Sequence, residues 1–212
     1  MTGTTPAEPR RFSIVTVCTG NICRSPLAEH LLRQGLESWK VVDVSSAGTG
    51  ALVGQPMTDQ TIAIAHEHGA PDPEQHRARA LVVDYLRDAN LVIALTRAHR
   101  AEIVAMLPRG SRRTFTLREL ARLLAAVAPA DLAAVAALPA DDIVGRFAEL
   151  IDAAAALRGY VLPPEDELDD DVVDPYRRSD DVYRQSADQL VPAVETILSS
   201  FATAAAVRAG QV

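Results

Sequence analysis

The chain has 212 residues, a formal net charge of −7 at pH 7 and a hydrophobic content of 48%. This length and composition are typical of one globular domain, or one domain with an added segment, that buries a sizeable core. The negative charge argues against general nucleic-acid binding, and no stretch has the length and apolarity of a membrane span.

The N-terminal residues and the cysteine content restrict the expected cellular setting. Residues 1–11 lack the apolar segment of a signal peptide, and we predict that they form a disordered tail. The chain has two cysteines, Cys18 and Cys23, and both lie in one short stretch. This excludes the disulfide framework of a small secreted protein, so we expect a reducing, cytoplasmic location.

The first predicted elements are a strand, a short loop and a helix. Residues 12–17 form a β-branched apolar run that is typical of a buried strand. The helix is predicted to have Ser25 as its N-cap and Pro26 as its first residue, and to end near Trp39. The intervening residues, 18–24, therefore connect the carboxyl end of a strand to the N-terminus of a helix.

This loop has the composition of an anion-binding site. Gly20 allows backbone conformations that a side chain would forbid, and Asn21 tolerates a left-handed conformation. Backbone N–H groups of such a loop bind anions together with the helix N-terminus, and the Arg24 guanidinium can hold two phosphate oxygens. Cys18 lies at the base of this positive loop, where its nucleophilic thiolate is favoured and where the Ser25 hydroxyl can donate to it. The pattern predicts nucleophilic attack on phosphorus.

The next part of the chain alternates between strands and helices. The predicted strands cover residues 41–44, 90–95 and 113–117, and the predicted helices cover residues 58–68 and 97–107. This alternation indicates right-handed βαβ units and a parallel sheet, in which ligands bind beyond the carboxyl ends of the strands, where Cys18 falls. His66 and His68 do not share a helix face, so we interpret them as solvent-exposed side chains and predict no metal site.

An alanine-rich segment follows, and we predict a helical insertion over about residues 118–170. Its helical periodicity breaks at Pro129 and Pro139. We expect either a helical hairpin packed on the sheet or a lid beside the pocket, and a structural role is favoured. The last helix is predicted from about Ser179 to Phe201, which closes a single domain of residues 12–201 and leaves residues 202–212 as a flexible tail.

Residues 17–29, VCTGNICRSPLAE, resemble the phosphate loop of the low-molecular-weight protein tyrosine phosphatases. Arsenate reductases and protein-arginine phosphatases share the scaffold of this family. The resemblance implies an α/β fold with a flavodoxin-like, four-stranded parallel sheet and helices on both faces. It also implies that Cys18 is the nucleophile, and that Arg24 binds phosphate together with the other loop residues, which are Thr19, Gly20, Asn21, Ile22, Cys23 and Ser25.

The resemblance extends to residues outside the loop. Asp174, in Asp-Pro-Tyr before the last helix, resembles the general acid of the family, with Tyr176 in support. Ser46 and His76 resemble the serine and histidine that brace the loop asparagine. Cys23 resembles the vicinal cysteine that can form a reversible disulfide with the nucleophile.

These residues predict a metal-independent phosphatase without a cofactor. Cys18 attacks phosphorus to form a cysteinyl-phosphate, and Asp174 protonates the leaving oxygen and then activates water. The expected substrate is a phosphorylated protein carrying phosphotyrosine. Residues 50–54, GALVG, stand where the family often has an aromatic wall, and Arg177 replaces a usual second tyrosine, so substrate choice stays open.

Three alternatives remain beside this hypothesis. An arsenate reductase would need an external thiol, because the chain has no cysteine after Cys23. A protein-arginine phosphatase is similar in residues 115–120, FTLREL, but that branch carries threonine where this chain has Ile22. A phosphopeptide-binding module without turnover is disfavoured by the joint presence of Cys18, Arg24 and Asp174.

Overall fold

The fold centres on a four-stranded parallel sheet in a computed structural model that describes residues 10–210. The strands are β1 (Phe12–Cys18), β2 (Val42–Gly48), β3 (Leu91–Ala94) and β4 (Thr114–Thr116), in the order β2-β1-β3-β4. Every pairing is parallel, and Cys18 pairs with Gly48 at the carboxyl edge. The predicted α/β fold with a flavodoxin-like sheet is confirmed.

Eight α-helices connect and cover the strands within the described range. They are α1 (Arg24–Gly35), α2 (Asp59–Glu67), α3 (Val83–Asp88), α4 (Arg97–Met106), α5 (Leu117–Ala125), α6 (Ala133–Ala137), α7 (Ile143–Ala156) and α8 (Asp180–Ala206). Short 3-10 turns cover Pro73–Gln75, Pro108–Arg113, Pro129–Leu132 and Glu167–Asp170. Of these helices, the sequence patterns did not predict α3.

Helices lie on both faces of the sheet because β1 is apolar on both faces. Phe12 and Ile14 belong to the core that includes side chains of α1, α5, α7 and α8, whereas Val15 and Val17 belong to a second core with α3 and α4. This alternation follows from the two-residue period of a strand. The sheet is therefore buried on both sides, and its carboxyl edge is left for a site.

The inserted segment packs into the main core through α7. Phe147 is fully buried, and its ring makes edge contacts with Phe12, Trp39 and Phe201 at centroid distances of 5.7, 5.3 and 4.4 Å. Arg146 is also buried and donates from Nε to the Ala204 carbonyl at 2.9 Å. The helical part of the insertion therefore stabilises the domain, in line with the favoured structural role.

Several predicted boundaries differ from the structure. Strand β2 continues to Gly48, whereas the predicted strand ends at residue 44. Helix α1 begins at Arg24, so Ser25 is its second residue and not its N-cap, and its hydroxyl contacts the Cys18 sulfur instead. Helix α1 also ends at Gly35 rather than near Trp39.

At the C-terminus, α8 continues to Ala206, because Ala204 is buried and its carbonyl accepts from Arg146. Residues 202–206 are therefore helical rather than part of a tail.

The N-terminal tail prediction is tested only at its end. Residues 1–9 lie outside the described part of the chain, as do residues 211 and 212. Arg10 and Arg11 were predicted within the tail, but they form ion pairs with Asp142 and Asp43, respectively, since both guanidinium groups lie beside carboxylates on the folded domain.

The described residues contain no single helix with the length and apolarity to cross a membrane. Residues 117–125 and 129–137 pass that test only as a pair, which is bent by 105°.

Candidate active site

The loop between β1 and α1 folds around the Cys18 sulfur. The Asn21 backbone N–H donates to this sulfur at 3.3 Å, and the Ser25 hydroxyl lies 3.0 Å from it. Asn21 has a φ of 55°, so the left-handed residue of the loop is Asn21, whereas Gly20 does not adopt a left-handed conformation. The freedom predicted for Gly20 is therefore not used, and the Asn21 conformation turns the backbone amide toward the sulfur.

Gly48 at the end of β2 is required for a close backbone approach to this loop. A Cβ at this position would lie 2.3 Å from the Thr19 carbonyl oxygen and 3.0 Å from Ala51 Cβ. The Thr49 N–H donates to the Cys18 carbonyl at 2.9 Å, so the two chains are joined directly beside this contact. A side chain here would displace the loop that holds the nucleophile.

Asn21 is held from three directions by groups on other elements. Its Nδ2 donates to Ser46 Oγ at 2.8 Å, and its Oδ1 accepts from the Arg79 N–H at 2.9 Å. His76 Nε2 donates to the Asn21 carbonyl at 2.8 Å. The structure thus places Ser46 and His76 against the loop asparagine, where the resemblance implied them. Burial lowers the pKa of His76, which keeps the imidazole neutral.

Two further residues of this network were missed by the sequence analysis. Glu29 is buried on α1 and accepts a hydrogen bond from the Ser46 hydroxyl, and Arg79 donates from Nε to the Ser46 carbonyl at 2.6 Å. A signal for Glu29 was available, because a carboxylate there lies one turn after Ser25 on the otherwise buried face of α1. Arg79 contributes through both its backbone N–H and its side-chain Nε.

Arg24 enters the loop from the first turn of α1, and its side chain is 5% exposed. Its Nη1 donates to the Val172 carbonyl at 3.1 Å, and its Nη2 lies 2.9 Å from the Asp174 carboxylate. Its Nε is buried without a hydrogen-bond partner among the described residues. A buried guanidinium N–H without an acceptor is costly, and an anion bound in the loop would supply that acceptor.

The loop forms the floor of a cavity of about 220 Å³. Its lining residues are Cys18, Thr19, Gly20, Ile22, Cys23, Arg24, Gly50, Leu52, Asp174 and Tyr176. Tyr176 and Leu52 contribute apolar surface to the rim. Both residues are partly open to solvent, at 37% and 39% exposed. The cavity therefore combines a polar floor for an anion with walls for an apolar or aromatic group.

Asp174 reaches the cavity from the segment before α8. Its Oδ1 accepts from the Tyr176 N–H at 3.2 Å, while its Oδ2 pairs with Arg24. The preceding Val172 N–H donates to the Leu95 carbonyl at 2.9 Å, which fixes this segment to the end of β3. The carboxylate is thus held over the sulfur-bearing loop while its side chain stays 56% exposed to solvent.

His99 is another contact of the loop that the sequence did not indicate. Its Nε2 is hydrogen-bonded to the Thr19 hydroxyl at 2.8 Å, and its Nδ1 is bonded to the Thr96 hydroxyl at the same distance. Burial, followed by the nearby Arg24 charge, lowers the pKa of His99. A neutral imidazole therefore connects the start of α4 to the phosphate loop.

Cys23 is the second cysteine of the loop, and it also lines the cavity. Both cysteines are free thiols, and burial raises the pKa of Cys23, whose sulfur lies 3.6 Å from the Thr58 hydroxyl and 3.9 Å from the Tyr183 hydroxyl. Cys23 therefore stays a neutral thiol. Residues 10–210 contain no group of three or more His, Cys, Asp or Glu side chains that could hold a metal ion.

Comparisons with known proteins agree with this geometry. The probable low molecular weight protein-tyrosine-phosphatase EpsP of Ralstonia solanacearum is 40% identical over 108 residues, which cover 51% of this chain and 72% of that protein. Etp of Escherichia coli K12, a low molecular weight protein-tyrosine-phosphatase, is 39% identical over 102 residues, or 48% of this chain and 66% of that protein.

Solved structures show the same fold. The tyrosine phosphatase AmsI of Erwinia amylovora gives a TM-score of 0.62 at 21% identity, and covers 93% of this chain and 97% of that chain. A YwlE mutant from Bacillus subtilis gives 0.59 at 25% identity, and covers 89% and 97%. The family model described as low molecular weight phosphotyrosine protein phosphatase matches residues 13–128, which hold the cysteine loop and all of the sheet except Phe12. The chain belongs to the low molecular weight phosphotyrosine protein phosphatase family.

Proposed function

We propose that this phosphatase hydrolyses phosphotyrosine in a protein substrate through a cysteinyl-phosphate, without a metal. The observation that carries the proposal is the buried Arg24 Nε that lacks an acceptor, in a loop whose floor is the Cys18 sulfur. A phosphate oxygen is the acceptor that a guanidinium suits best in this position. The same oxygen would place phosphorus over the sulfur.

In the first step, the Cys18 thiolate attacks phosphorus and the bond from phosphorus to the leaving oxygen breaks. Arg24 and the loop N–H groups hold the nonbridging oxygens, where charge develops. Asp174 gives its proton to the leaving oxygen, so the alcohol departs neutral. A phosphate dianion competes with Asp174 for Arg24, which frees the carboxyl group for this role.

In the second step, water attacks the cysteinyl-phosphate and Asp174 takes a proton from that water. The sulfur–phosphorus bond breaks, and the sulfur leaves as a thiolate. The Ser25 hydroxyl, 3.0 Å from the sulfur, donates to the departing thiolate. Inorganic phosphate is released, and both Cys18 and Asp174 return to their starting states.

The walls of the cavity support an aryl ester as the substrate. Tyr176 offers a ring for stacking, and Leu52 and Ile22 complete an apolar enclosure. The nucleophile must remain a reduced thiol, so a reducing compartment such as the cytoplasm is part of the proposal.

The test is hydrolysis of an aryl phosphate and of phosphotyrosine, phosphoserine and phosphoarginine peptides in the presence of a chelator. We expect the phosphotyrosine peptide to be preferred, and Cys18→Ser to abolish turnover while phosphate binding is retained. Glu37→Gln, at an exposed site on a distant surface, is the control variant and should keep full activity. Activity that needs a metal and survives Cys18→Ser would contradict the mechanism.

A protein-arginine phosphatase is the second candidate, because the YwlE arginine phosphatase from Geobacillus stearothermophilus has the same fold at a TM-score of 0.62 and 24% identity. Residues 115–120 do not bear on this choice, since they form part of β4 and the capped start of α5 and none of them lines the cavity. Preferential hydrolysis of the phosphoarginine peptide would favour this candidate. Arsenate-dependent consumption of an external thiol at high turnover would instead favour a reductase.

A further inference from the structure

A second cavity lies between α4, the start of α5 and the segment that follows α7. Its volume is about 570 Å³, against about 220 Å³ for the catalytic cavity. One wall consists of Arg158, Gly159, Val161, Leu162, Pro163 and Asp170. These residues lie beyond residue 128, where the match to the family model ends. The cavity therefore forms where the segment beyond residue 128 packs against α4 and α5 of the matched region.

The side chains that line this cavity carry an excess of positive charge. Its lining includes four arginines and two carboxylates, namely Arg97, Arg100, Arg122, Arg158, Glu119 and Asp170. The net formal charge of these side chains is thus positive by two. Cavities with an excess of one charge attract ligands of the opposite charge and concentrate them.

The two carboxylates are already engaged by two of the arginines. Glu119 accepts from Arg158 Nε at 2.8 Å and from the Thr116 N–H at 3.1 Å, where it completes the capping box of α5. Both oxygens of Asp170 accept from Arg122 Nη2 at 3.1 Å. The surplus charge therefore belongs to the two arginines of α4.

Arg100 is the better placed of these two arginines. Its Nε donates to the Thr114 carbonyl at 3.0 Å, and the nearest carboxylate oxygen, on Glu119, is 3.8 Å away. Within residues 10–210, neither of its terminal nitrogens donates a hydrogen bond. Burial and the neighbouring Arg158 charge lower the pKa of Arg100, which agrees with an excess of positive charge at this point.

Arg97 lies one helical turn before Arg100 on the same side of α4. Its terminal Nη1 reaches Glu167 Oε2 at 3.0 Å, but that glutamate side chain is 80% exposed. Exposed ion pairs contribute little and exchange partners readily. Arg97 is therefore available to an anion that enters the cavity beside Arg100.

We propose that this cavity is a second anion site, which binds a phosphate group separately from the catalytic loop. Two planar guanidinium groups, of Arg97 and Arg100, match the oxygens of a phosphate dianion. Leu162 lines the cavity and is 83% exposed, and Val161 and Pro163 line it beside Leu162. These side chains give the site an apolar wall that suits an organic phosphate monoester as well as free phosphate.

The test is an NMR titration of the ¹⁵N-labelled Cys18→Ala protein with inorganic phosphate and with free phosphotyrosine. The Gly20 amide reports on the catalytic loop, and the Gly159 amide reports on the second cavity. We expect both amides to shift with separate dissociation constants. A tighter constant for phosphotyrosine at Gly159 identifies a phosphate monoester as the ligand, and equal constants identify the phosphate group alone.

Charge variants separate binding from damage to the fold. Arg100→Gln should weaken binding at Gly159 by about tenfold or more, the value for one charge-assisted hydrogen bond, and leave the Gly20 curve unchanged. Asp170→Asn should tighten binding at Gly159, because it removes a competing carboxylate. Arg97→Gln, at a half-exposed site, should act in the same direction as Arg100→Gln with little risk to folding. Arg87→Gln is the control with an equal change in charge at a distant, exposed site.

Three results would overturn the proposal. The first is a Gly159 amide that does not respond to saturating phosphate, and the second is an equal response to chloride. The third is a change of binding in the same direction for Arg100→Gln and Asp170→Asn. A response at Gly159 with a silent Gly20 would support the second site and count against the proposed catalytic function instead.

Discussion

Replacing Asp174 with asparagine tests the assignment of the general acid most directly. The substitution keeps the shape of the side chain and its turn, but it removes the proton that the leaving oxygen requires. It also removes the ion pair to Arg24, in which the Asp174 side chain is 56% exposed and the Arg24 side chain 5% exposed. Two measurable effects follow, and they have opposite directions.

The first effect is on the chemical step. General acid–base catalysis contributes about 10²–10⁴-fold, so kcat/KM for a phosphotyrosine peptide should fall by about that factor. The loss should be much smaller for p-nitrophenyl phosphate, whose leaving group departs without protonation. We use kcat/KM because it reports the first irreversible step, formation of the cysteinyl-phosphate.

The second effect is on phosphate affinity. In the free enzyme, Asp174 occupies the guanidinium that a phosphate group needs. A partly exposed ion pair contributes about 0–1 kcal/mol, so its removal should tighten competitive inhibition by phosphate by up to about fivefold. Loss of turnover together with tighter phosphate binding is not expected from general damage to the site.

The matched control is Asp169→Asn, since this side chain is 60% exposed and lies 3.9 Å from Arg118. It should leave both kinetic constants nearly unchanged. An equal loss on both substrates after Asp174→Asn, without tighter phosphate inhibition, would refute the assignment. In that case, the leaving oxygen would have to take its proton from another group.

Three further predictions concern the loop and its surroundings. Ser25→Ala removes a hydroxyl that lies 3.0 Å from the Cys18 sulfur. The steady-state kcat should fall by about tenfold or more, because hydrolysis of the cysteinyl-phosphate loses a charge-assisted hydrogen bond. An unchanged kcat would contradict this prediction. Gly48→Ala should destabilise the protein by about 1–3 kcal/mol in urea unfolding and impair activity, whereas Gly50→Ala, whose Cβ would meet Thr19 Cγ2 at 3.4 Å, should be tolerated. Three buried histidines, His30, His76 and His99, have pKa values that are lowered chiefly by burial. The unfolded chain therefore binds more protons than the folded chain below about pH 6.5, and the free energy of unfolding should fall on acidification from about pH 7 to about pH 5.5. Urea titrations that show no loss of stability over this window would refute the role of these residues.

The amino-acid sequence by itself determined the strand, loop and helix that carry Cys18 and Arg24. These residues are close in the chain, so local backbone preferences and the run of apolar residues in β1 are enough to bring them together. The alternation of strands and helices likewise determined the parallel sheet, whose carboxyl edge is the place for a ligand. The resemblance in residues 17–29 then indicated the family, which the comparisons confirm.

The sequence was less informative where one side chain has two possible partners. Ser25 has the pattern of an N-cap, yet its hydroxyl bonds to the Cys18 sulfur and the helix begins at Arg24, two residues before the predicted Pro26. For Ser25, the choice depends on contacts that the local pattern does not contain. Asn21, by contrast, takes the left-handed conformation that the sequence indicated it tolerates, and its side chain is held by Ser46 and Arg79.

The tertiary structure decided how distant residues reach the loop, both Asp174, which the resemblance implied, and His99, which it did not. Asp174 reaches Arg24 because the segment before α8 bonds to the end of β3, and His99 reaches Thr19 because α4 starts at that same edge. The second cavity likewise exists only where the segment after α7 returns to α4. Local sequence patterns describe a few neighbouring residues, whereas these meetings follow from burying both faces of one sheet, which depends on the whole chain at once.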